Sequence, residues 1–288
     1  MDREVNAVQR MQDYIKNHIS EDITLLKLSE VACYSPWYSY RIFVKHTNMT
    51  VSKYIRSLRL SNAAVKLRDE DLSVTEVSMD LGFGCVDGFQ RAFRNEFNIN
   101  PKAYSVNPIP IPLFIPYGVK YRNRKEKKDV MGSKNVFISL VEKPERRILV
   151  KRGIKAEEYF SYCEEVGCDV WGILKSIDKE PVCLYLTDKY IPKGTSKYVQ
   201  GAEVPMEYRG YIPQGFELMT LPKTTYLMFQ GEPFEEEDYE EAIMSLKYAI
   251  AKYDPAPLGY AFDDSEPSIQ LEPIGSRGYI ELKAVRRK

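Results

Sequence analysis

Two arginines, Arg41 and Arg91, lie fifty residues apart in matching surroundings. Each is followed by a phenylalanine after two residues, an asparagine after seven and a tyrosine after thirteen. On the outer face of a helix, a guanidinium can donate two parallel hydrogen bonds to a guanine edge in the DNA major groove. The repeat therefore predicts a duplicated DNA-reading unit, whereas a single arginine on a helix is usually only a solvated surface residue.

The stretch LGFGCVDGFQRAF (81–93) indicates how the second arginine is positioned. Phe89, Phe93 and Phe97 recur at every fourth position, so they share one helix face and can anchor it to a core. The opposite face carries Gln90, Arg91, Arg94 and Asn95. The spacing predicts these base-reading residues: Trp37, Tyr40 and Arg41 on the first helix, and Asp87, Gly88 and Arg91 on the second. A core position is the alternative for Trp37.

Helical periodicity and capping signals continue through residues 1–107. Apolar spacing predicts helices over 5–19, 25–31, 51–68 and 86–97. Ser35-Pro36 has the residue types of an N-cap and a first helical turn, and Ser73 with Glu76 has those of a capping box. This region is therefore predicted to be all-α, with two helix-turn-helix units whose second helices enter the major groove.

These residues resemble the double helix-turn-helix DNA-binding domain of the AraC/XylS transcription regulators. The resemblance covers about 19–104, and its most specific part is the pattern F-x-R-x-F-(R/K)-x-x-F-x-x-x-P-x-x-Y that begins at Phe89. It implies that the six base-reading residues named above face DNA bases. The chain departs from the family pattern at Cys33, Ser39 and Asn98, where a small residue, an apolar residue and glycine are usual.

Charge is balanced over the 288 residues but unevenly distributed. The net charge is +1 over residues 1–107, +5 over 108–134 and −6 over 135–288, which favours two units with different tasks. Five cysteines without a C-x-x-C pair and only two histidines predict neither a metal site nor a disulfide framework, and no cofactor is expected. Because no signal peptide or membrane-spanning run is recognisable, we expect a cytoplasmic protein without a membrane partner.

Residues 108–134 separate the two units. The stretch PIPIPLFIP (108–116) begins with alternating prolines, which forbid a helix, and the basic run KYRNRKEKKD (120–129) is expected to be solvated. We predict a flexible linker here, with contacts to DNA phosphates as the alternative.

A second internal repeat occupies residues 135–288. VEKPERRILVKRG (141–153) matches MTLPKTTYLMFQG (219–231) at an offset of 78 residues, with Pro144 equivalent to Pro222. Each copy continues with an acidic helix start, an amphipathic helix and two strand-like stretches. The pattern predicts an α+β domain of two strand-helix-strand-strand repeats.

This second region resembles the GyrI-like effector-binding domain in the stretches SKYVQGAEVP, GFELMTLP, YLMFQGEP, LEP and RGYIE. The resemblance covers about 135–286 and implies a groove between the two halves, where a buried carboxylate meets a cationic or polar amphiphile. Glu203 and Glu281 lie among apolar residues on the last strand of each copy, where a carboxylate needs a partner such as a cation. An outer-face position or an arginine partner is the alternative for each. Candidate wall residues are Trp171, Tyr226, Phe229, Tyr260 and Tyr279.

The sequence as a whole predicts a multidomain transcription regulator. An all-α double helix-turn-helix domain (1–107) is followed by a linker (108–134) and an α+β GyrI-like domain (135–288). Double-stranded DNA and a small amphipathic effector are the predicted partners, and RNA polymerase is a further candidate. No catalytic residue is assigned, because both histidines lie in the first region and no nucleophile–base set is recognisable. A small-molecule hydrolase and a protein-interaction module remain the alternatives for the second region.

Overall fold

The structure is a computed structural model that describes residues 3–116, 118–119, 135–167 and 169–288. The chain divides into two units, Met1–Lys127 and Lys128–Lys288. The first unit is helical and the second is built on a β-sheet, so the two predicted types of secondary structure are confirmed.

Seven helices form the described part of the first unit. They are α1 (Arg3–Asn17), α2 (Leu25–Ala32), α3 (Pro36–Thr47), α4 (Val51–Asp69), α5 (Val74–Asp80), α6 (Val86–Phe97) and α7 (Pro101–Val106). The capping box predicted for α5 is present: Ser73 Oγ accepts from the Glu76 N–H at 3.2 Å, and the Glu76 carboxylate accepts from the Ser73 N–H at 2.8 Å. Capping side chains thus set the helix starts where the sequence predicts them.

Two hydrophobic cores hold the helices together, and α4 contributes to both. The first core joins α1, α2, α3 and the first half of α4 around Phe43 and Tyr54, whose rings lie 5.2 Å apart. The second core joins the rest of α4 to α5, α6 and α7 around Phe93. Ile19, between α1 and α2, packs against both cores. Each helix-turn-helix therefore has its own core, and α4 connects the two.

The apolar start of the predicted linker is packed on the helical unit, which differs from the flexible tether expected there. Ile111 and Leu113 are buried in the second core, and Phe114 packs against the first. The Phe114 N–H donates to Ser61 Oγ at 2.7 Å. Proline at alternate positions keeps this segment extended, so that neighbouring side chains can reach both cores. The basic part of the predicted linker, residues 120–134, lies outside the described residues.

Nine strands and three helices occur in the described part of the second unit. They are β1 (Val136–Lys143), β2 (Arg146–Arg152), α8 (Tyr159–Val166), α9 (Asp169–Lys175), β3 (Val182–Tyr185), β4 (Tyr198–Val204), β5 (Phe216–Leu221), β6 (Thr224–Gly231), α10 (Tyr239–Lys252), β7 (Tyr260–Phe262), β8 (Ser268–Leu271) and β9 (Ile280–Arg287). The sequence does not predict β8, nor β1 and β5 as separate strands ahead of the two repeats. The first repeat also contains a second helix, α9, that the sequence does not predict.

All pairings between these strands are antiparallel, and they form one sheet in the order β1-β6-β9-β8-β3-β4-β2-β5, with β7 paired to the end of β9. Consecutive strands β1 and β2 do not form a hairpin. Instead, β1 pairs with β6 of the second repeat, and β5 pairs with β2 of the first. The two edge strands of the sheet are therefore exchanged between the repeats. The strand β1 precedes the first repeat and pairs with the second, and β5 precedes the second repeat and pairs with the first.

Alternation along the strands gives the sheet two different faces. The helix face packs against α10, where Phe229 of β6 lies in one core with Leu246. The opposite side, which we call the strand face, carries a second core that includes Ile280 and Leu282 of β9. Tyr190, from the connection between β3 and β4, packs on that core. Even-numbered and odd-numbered residues of β9 therefore lie in different surroundings.

Candidate functional site

The helices α3 and α6 are the second helices of the two helix-turn-helix units, and each turns one side to a core and the other to solvent. The predicted anchors of α6 are buried, and the Phe93 and Phe97 rings lie 4.8 Å apart. Ile42 and Phe43 have the same role in α3. Trp37, Tyr40, Arg41, Asp87 and Arg91 are exposed, and Gly88 is half-buried. Contact between these six residues and DNA stays a prediction.

At the start of α3, two aromatic rings flank Arg41. Trp37 is 69% exposed, and the Arg41 guanidinium lies 5.1 Å from the centre of its ring and 4.9 Å from that of Tyr38. Such contacts limit the conformations of a long side chain, so less freedom is lost when it binds a base. The arrangement presents a preorganised guanidinium on an exposed helix face.

Glu4 of α1 fixes Tyr38 from its hydroxyl end. The Glu4 carboxylate accepts hydrogen bonds from Lys45 Nζ at 2.6 Å and Tyr38 Oη at 2.5 Å. These bonds, that of Lys45 first, lower the pKa of Glu4 to about 2, so the group is ionised near neutral pH. Helical spacing could not reveal this support for Arg41, because Glu4 lies in another helix.

The exposed face of α6 has further donors beyond the predicted set. An open cavity of about 380 Å³ is lined by Asp87, Gln90, Arg91 and Arg94. Arg91 Nε donates to the backbone carbonyl of Asp87 at 3.4 Å, which holds the side chain along the helix. The helical spacing places Gln90 and Arg94 on this face, although the predicted base-reading set does not include them. Their amide and guanidinium groups add hydrogen-bond donors to it.

Ser39 is an unsatisfied polar residue on the buried side of α3. Its side chain is fully buried, and its hydroxyl has no hydrogen-bond partner among the described residues. A buried hydroxyl without a partner costs free energy, because it has lost its bonds to water. We expect Ser39→Ala to raise the free energy of unfolding by about 1 kcal/mol, measured as a higher urea midpoint at an unchanged slope.

Ser35, at the N-cap of the same helix, provides the matched control. Its hydroxyl accepts from the Tyr38 N–H, so Ser35→Ala should lower the free energy of unfolding by about 1 kcal/mol. If Ser39→Ala lowered the stability as Ser35→Ala does, the Ser39 hydroxyl would have a partner and the assignment would be wrong.

In the second unit, Glu281 of β9 is a buried carboxylate, 2% exposed. It accepts hydrogen bonds from Gln270 Nε2 at 2.9 Å and from Tyr279 Oη at 2.8 Å. Lys283 Nζ lies 3.4 Å from its other oxygen. Three partners from the same unit offset part of the cost of burying this charge.

Tyrosines from both repeats lie near Glu281. The ring of Tyr198 lies 5.2 Å from that of Tyr185 and 5.5 Å from that of Tyr162 on α8. Burial and, secondly, the Glu281 charge raise the pKa of Tyr185 to about 12, and the same causes raise the pKa of Tyr279. Both hydroxyls therefore stay protonated near neutral pH. Of these four tyrosines, the sequence prediction includes only Tyr279.

Several of the predicted effector-binding residues lie on the helix face. Phe229 and Tyr279 are buried in its core, and Tyr260 packs against that core. Trp171 is buried on α9. Of these four rings, that of Tyr279 contacts Glu281 directly, through its hydroxyl.

Glu203 and Tyr226 lie elsewhere, on the strand face. Tyr226 belongs to the strand-face core. Glu203 is paired with Lys143 Nζ at 2.6 Å and with Arg146 Nε at 3.2 Å, and Arg146 also donates to the Tyr226 hydroxyl at 3.1 Å. Pairing with an arginine is the alternative that the sequence leaves open for Glu203. A shift of one residue along a strand reverses the face, and the sequence pattern does not determine it for an isolated charge.

Comparisons with known proteins concern the helical unit. Residues 28–106 match the family described as helix-turn-helix domain. Regulatory protein SoxS of Salmonella typhimurium is 35% identical over 97 residues, which are 34% of this chain and 91% of SoxS. The multiple antibiotic resistance protein MarA of Salmonella typhimurium is 28% identical over 100 residues, 35% of this chain and 79% of MarA. The solved C-terminal domain of the two-component response regulator yesN from Fusobacterium nucleatum is 28% identical, with a TM-score of 0.33, over 35% of this chain and 98% of that chain.

Two exposed recognition helices on a duplicated helix-turn-helix define the chain as a DNA-binding transcription regulator. It belongs to the AraC/XylS family, since 91% of the SoxS length is matched at 35% identity. The family match ends at residue 106, so this identification rests on the helical unit. Within the described parts of the chain, no helix is long and apolar enough to cross a lipid bilayer.

Proposed function

We propose that this regulator reads a bipartite DNA site with α3 and α6, and that its sheet-rich unit is a GyrI-like domain that senses a small amphipathic effector. The DNA part is supported most strongly by Arg41 and Arg91, which occupy equivalent exposed positions on the two recognition helices. Each helix enters one of two successive major-groove faces, about one helical turn apart. One chain carries both helices, so a second chain is not required to read both halves.

The exposed side chains of α3 and α6 differ in chemistry and therefore suit different bases. Arg41 and Arg91 suit bidentate contacts to guanine, and Asp87 suits the amino group of cytosine. Trp37 and Tyr40 offer apolar surface to a thymine methyl group. RNA polymerase as a partner and the cytoplasm as location stay predictions from the sequence.

The effector part is supported by the buried carboxylate of Glu281 and the rings around it. A cationic or polar amphiphile would give this carboxylate a further partner, beside Gln270, Tyr279 and Lys283, and would face tyrosine rings that attract cations. Gln270 and Tyr185 join the proposed site, together with Tyr279, Phe229, Tyr260 and Trp171 from the sequence prediction. Glu203 and Tyr226 are left out of it, because they lie on the strand face.

Thermal unfolding of the full chain with a panel of lipophilic cations and neutral amphiphiles tests the effector part. A ligand at a hundred times its Kd should add about 2.7 kcal/mol of stability. Glu281→Gln keeps the size of the side chain but removes its charge, so we expect the stabilisation by cations to disappear. Glu203→Gln, on the strand face, is the matched control and should keep it.

The same mixtures are assayed for product, because Tyr279 and Glu281 form a hydrogen-bonded pair that can activate a water. Turnover that is lost in Glu281→Gln would make the second unit a small-molecule hydrolase. Absence of any shift with the whole panel would contradict effector sensing and favour a protein-interaction module.

A further inference from the structure

Arg59, near the middle of α4, is bonded to backbone groups of both helix-turn-helix units. Its Nε donates to the carbonyl of Ile19 at 2.8 Å, and Nη2 donates to the carbonyl of Glu21. Both acceptors lie in the connection that leads from α1 into the first helix-turn-helix unit, formed by α2 and α3. Its Nη1 donates to the carbonyl of Gly82 at 3.4 Å, in the turn between α5 and α6. A single guanidinium thus connects the two helix-turn-helix units.

The turn at Gly82 lies directly against the same connection. Gly82 has φ of +70°, and a Cβ atom there would lie 2.6 Å from the carbonyl oxygen of Ser20. A larger residue would therefore push the turn and the connection apart. Arg59 donates to carbonyls on both sides of this contact. We call the contact between Gly82 and Ser20, together with the bonds of Arg59, the joint between the two helix-turn-helix units.

This joint is one of the contacts that fix the angle between the two helix-turn-helix units. Their cores are separate and are also connected by α4, by Ile19 and by the proline-containing segment 108–116, which packs on both. Two linked binding modules gain affinity from each other only if their geometry allows both to engage at once. The planar guanidinium of an arginine holds its donors in a fixed geometry and can therefore keep several acceptors in one arrangement. A lysine ammonium does not reproduce this geometry.

We propose that Arg59 is a positioning residue that sets the spacing between α3 and α6, and with it the spacing of the two DNA half-sites that the chain accepts. Arg59 acts through backbone carbonyls and does not contact a base. The inference rests on the proposed bipartite reading of DNA by the two recognition helices.

The test uses the full chain and a DNA site selected by the wild type from a random library. Affinity is measured for this site and for a series in which the distance between its halves is changed by up to about five base pairs, half a helical turn. We expect a sharp optimum for the wild type. Arg59→Lys should lose about tenfold at the optimum and little at the other spacings, which flattens the profile. Arg56→Lys, exposed on the same helix, is the control and should keep the wild-type profile.

Circular dichroism and a melting curve first establish that each variant is folded. Gly82→Ala keeps Arg59 but pushes the Gly82 turn away from Ser20, so it should also flatten the spacing profile. This variant replaces Arg59→Lys in the test if Arg59→Lys does not fold. A folded variant with the wild-type profile, or with an equal loss at every spacing, would overturn the role of Arg59. A wild type without any optimum would instead overturn the bipartite reading itself.

Discussion

Replacing Phe93 with alanine is expected to lower the free energy of unfolding of the helical unit by about 3–5 kcal/mol. Phe93 is fully buried, and its ring centre lies 4.8 Å from that of Phe97 and 5.9 Å from that of Tyr104. Alanine would leave a cavity that the surrounding helices fill only in part, so both burial and contacts are lost. Urea unfolding measures the loss, and hydrogen exchange of the α6 amides locates it in the second core.

Asn95→Ala is the control for this substitution, since Asn95 is exposed on the same helix. Its effect on stability should stay within about 0.5 kcal/mol, as for most surface changes. A Phe93→Ala protein that unfolds at the same urea concentration as the wild type would show that α6 is not anchored by its phenylalanines.

Arg91→Ala should weaken binding to the selected DNA site by about 1–3 kcal/mol, with the loss confined to one base position. Arg91 is exposed on α6 and lines the open cavity with Gln90 and Arg94, so it can reach a base edge. Affinity is measured for the selected site and for its single-base variants at one fixed salt concentration, because phosphate contacts depend strongly on salt. The variant should no longer distinguish the bases at that one position, and its nonspecific affinity should change little.

Arg41→Ala provides the matched comparison at the equivalent position of α3. It should remove discrimination at a base in the other half-site, about one helical turn away. If Arg91→Ala reduced affinity equally for every DNA sequence, the side chain would contact only phosphate, and base reading by α6 would be contradicted.

Much of the helical unit could be predicted from the sequence because its signals are local. A capping side chain and its acceptor lie three residues apart, as Ser73 and Glu76 do, and the α6 phenylalanines recur at the helical period. Local patterns do not reveal contacts made between distant segments. The bonds of Arg59 to three carbonyls and the support of Tyr38 by Glu4 are of this kind.

The sheet-rich unit was predicted less completely for two physical reasons. The two-residue period of a strand shows which of its side chains share a face of the sheet, but it does not show which strands pair. The sequence therefore does not predict the pairing of β1 with β6. The face taken by a lone charge on a strand depends on register. Glu281 and Glu203 looked equivalent in sequence, yet they lie on opposite faces with different partners. Only the helix face therefore carries the proposed effector site.

Selection of DNA from a random library by the full chain is the most direct test of the central proposal, that one chain reads a bipartite site with α3 and α6. We predict an enriched motif with two conserved blocks about 10 base pairs apart, which matches two recognition helices on successive major-groove faces. The Arg41→Ala protein should lose discrimination in one block, and the Arg91→Ala protein in the other. A single conserved block that responds to both substitutions, or no enrichment over nonspecific DNA, would contradict the proposal.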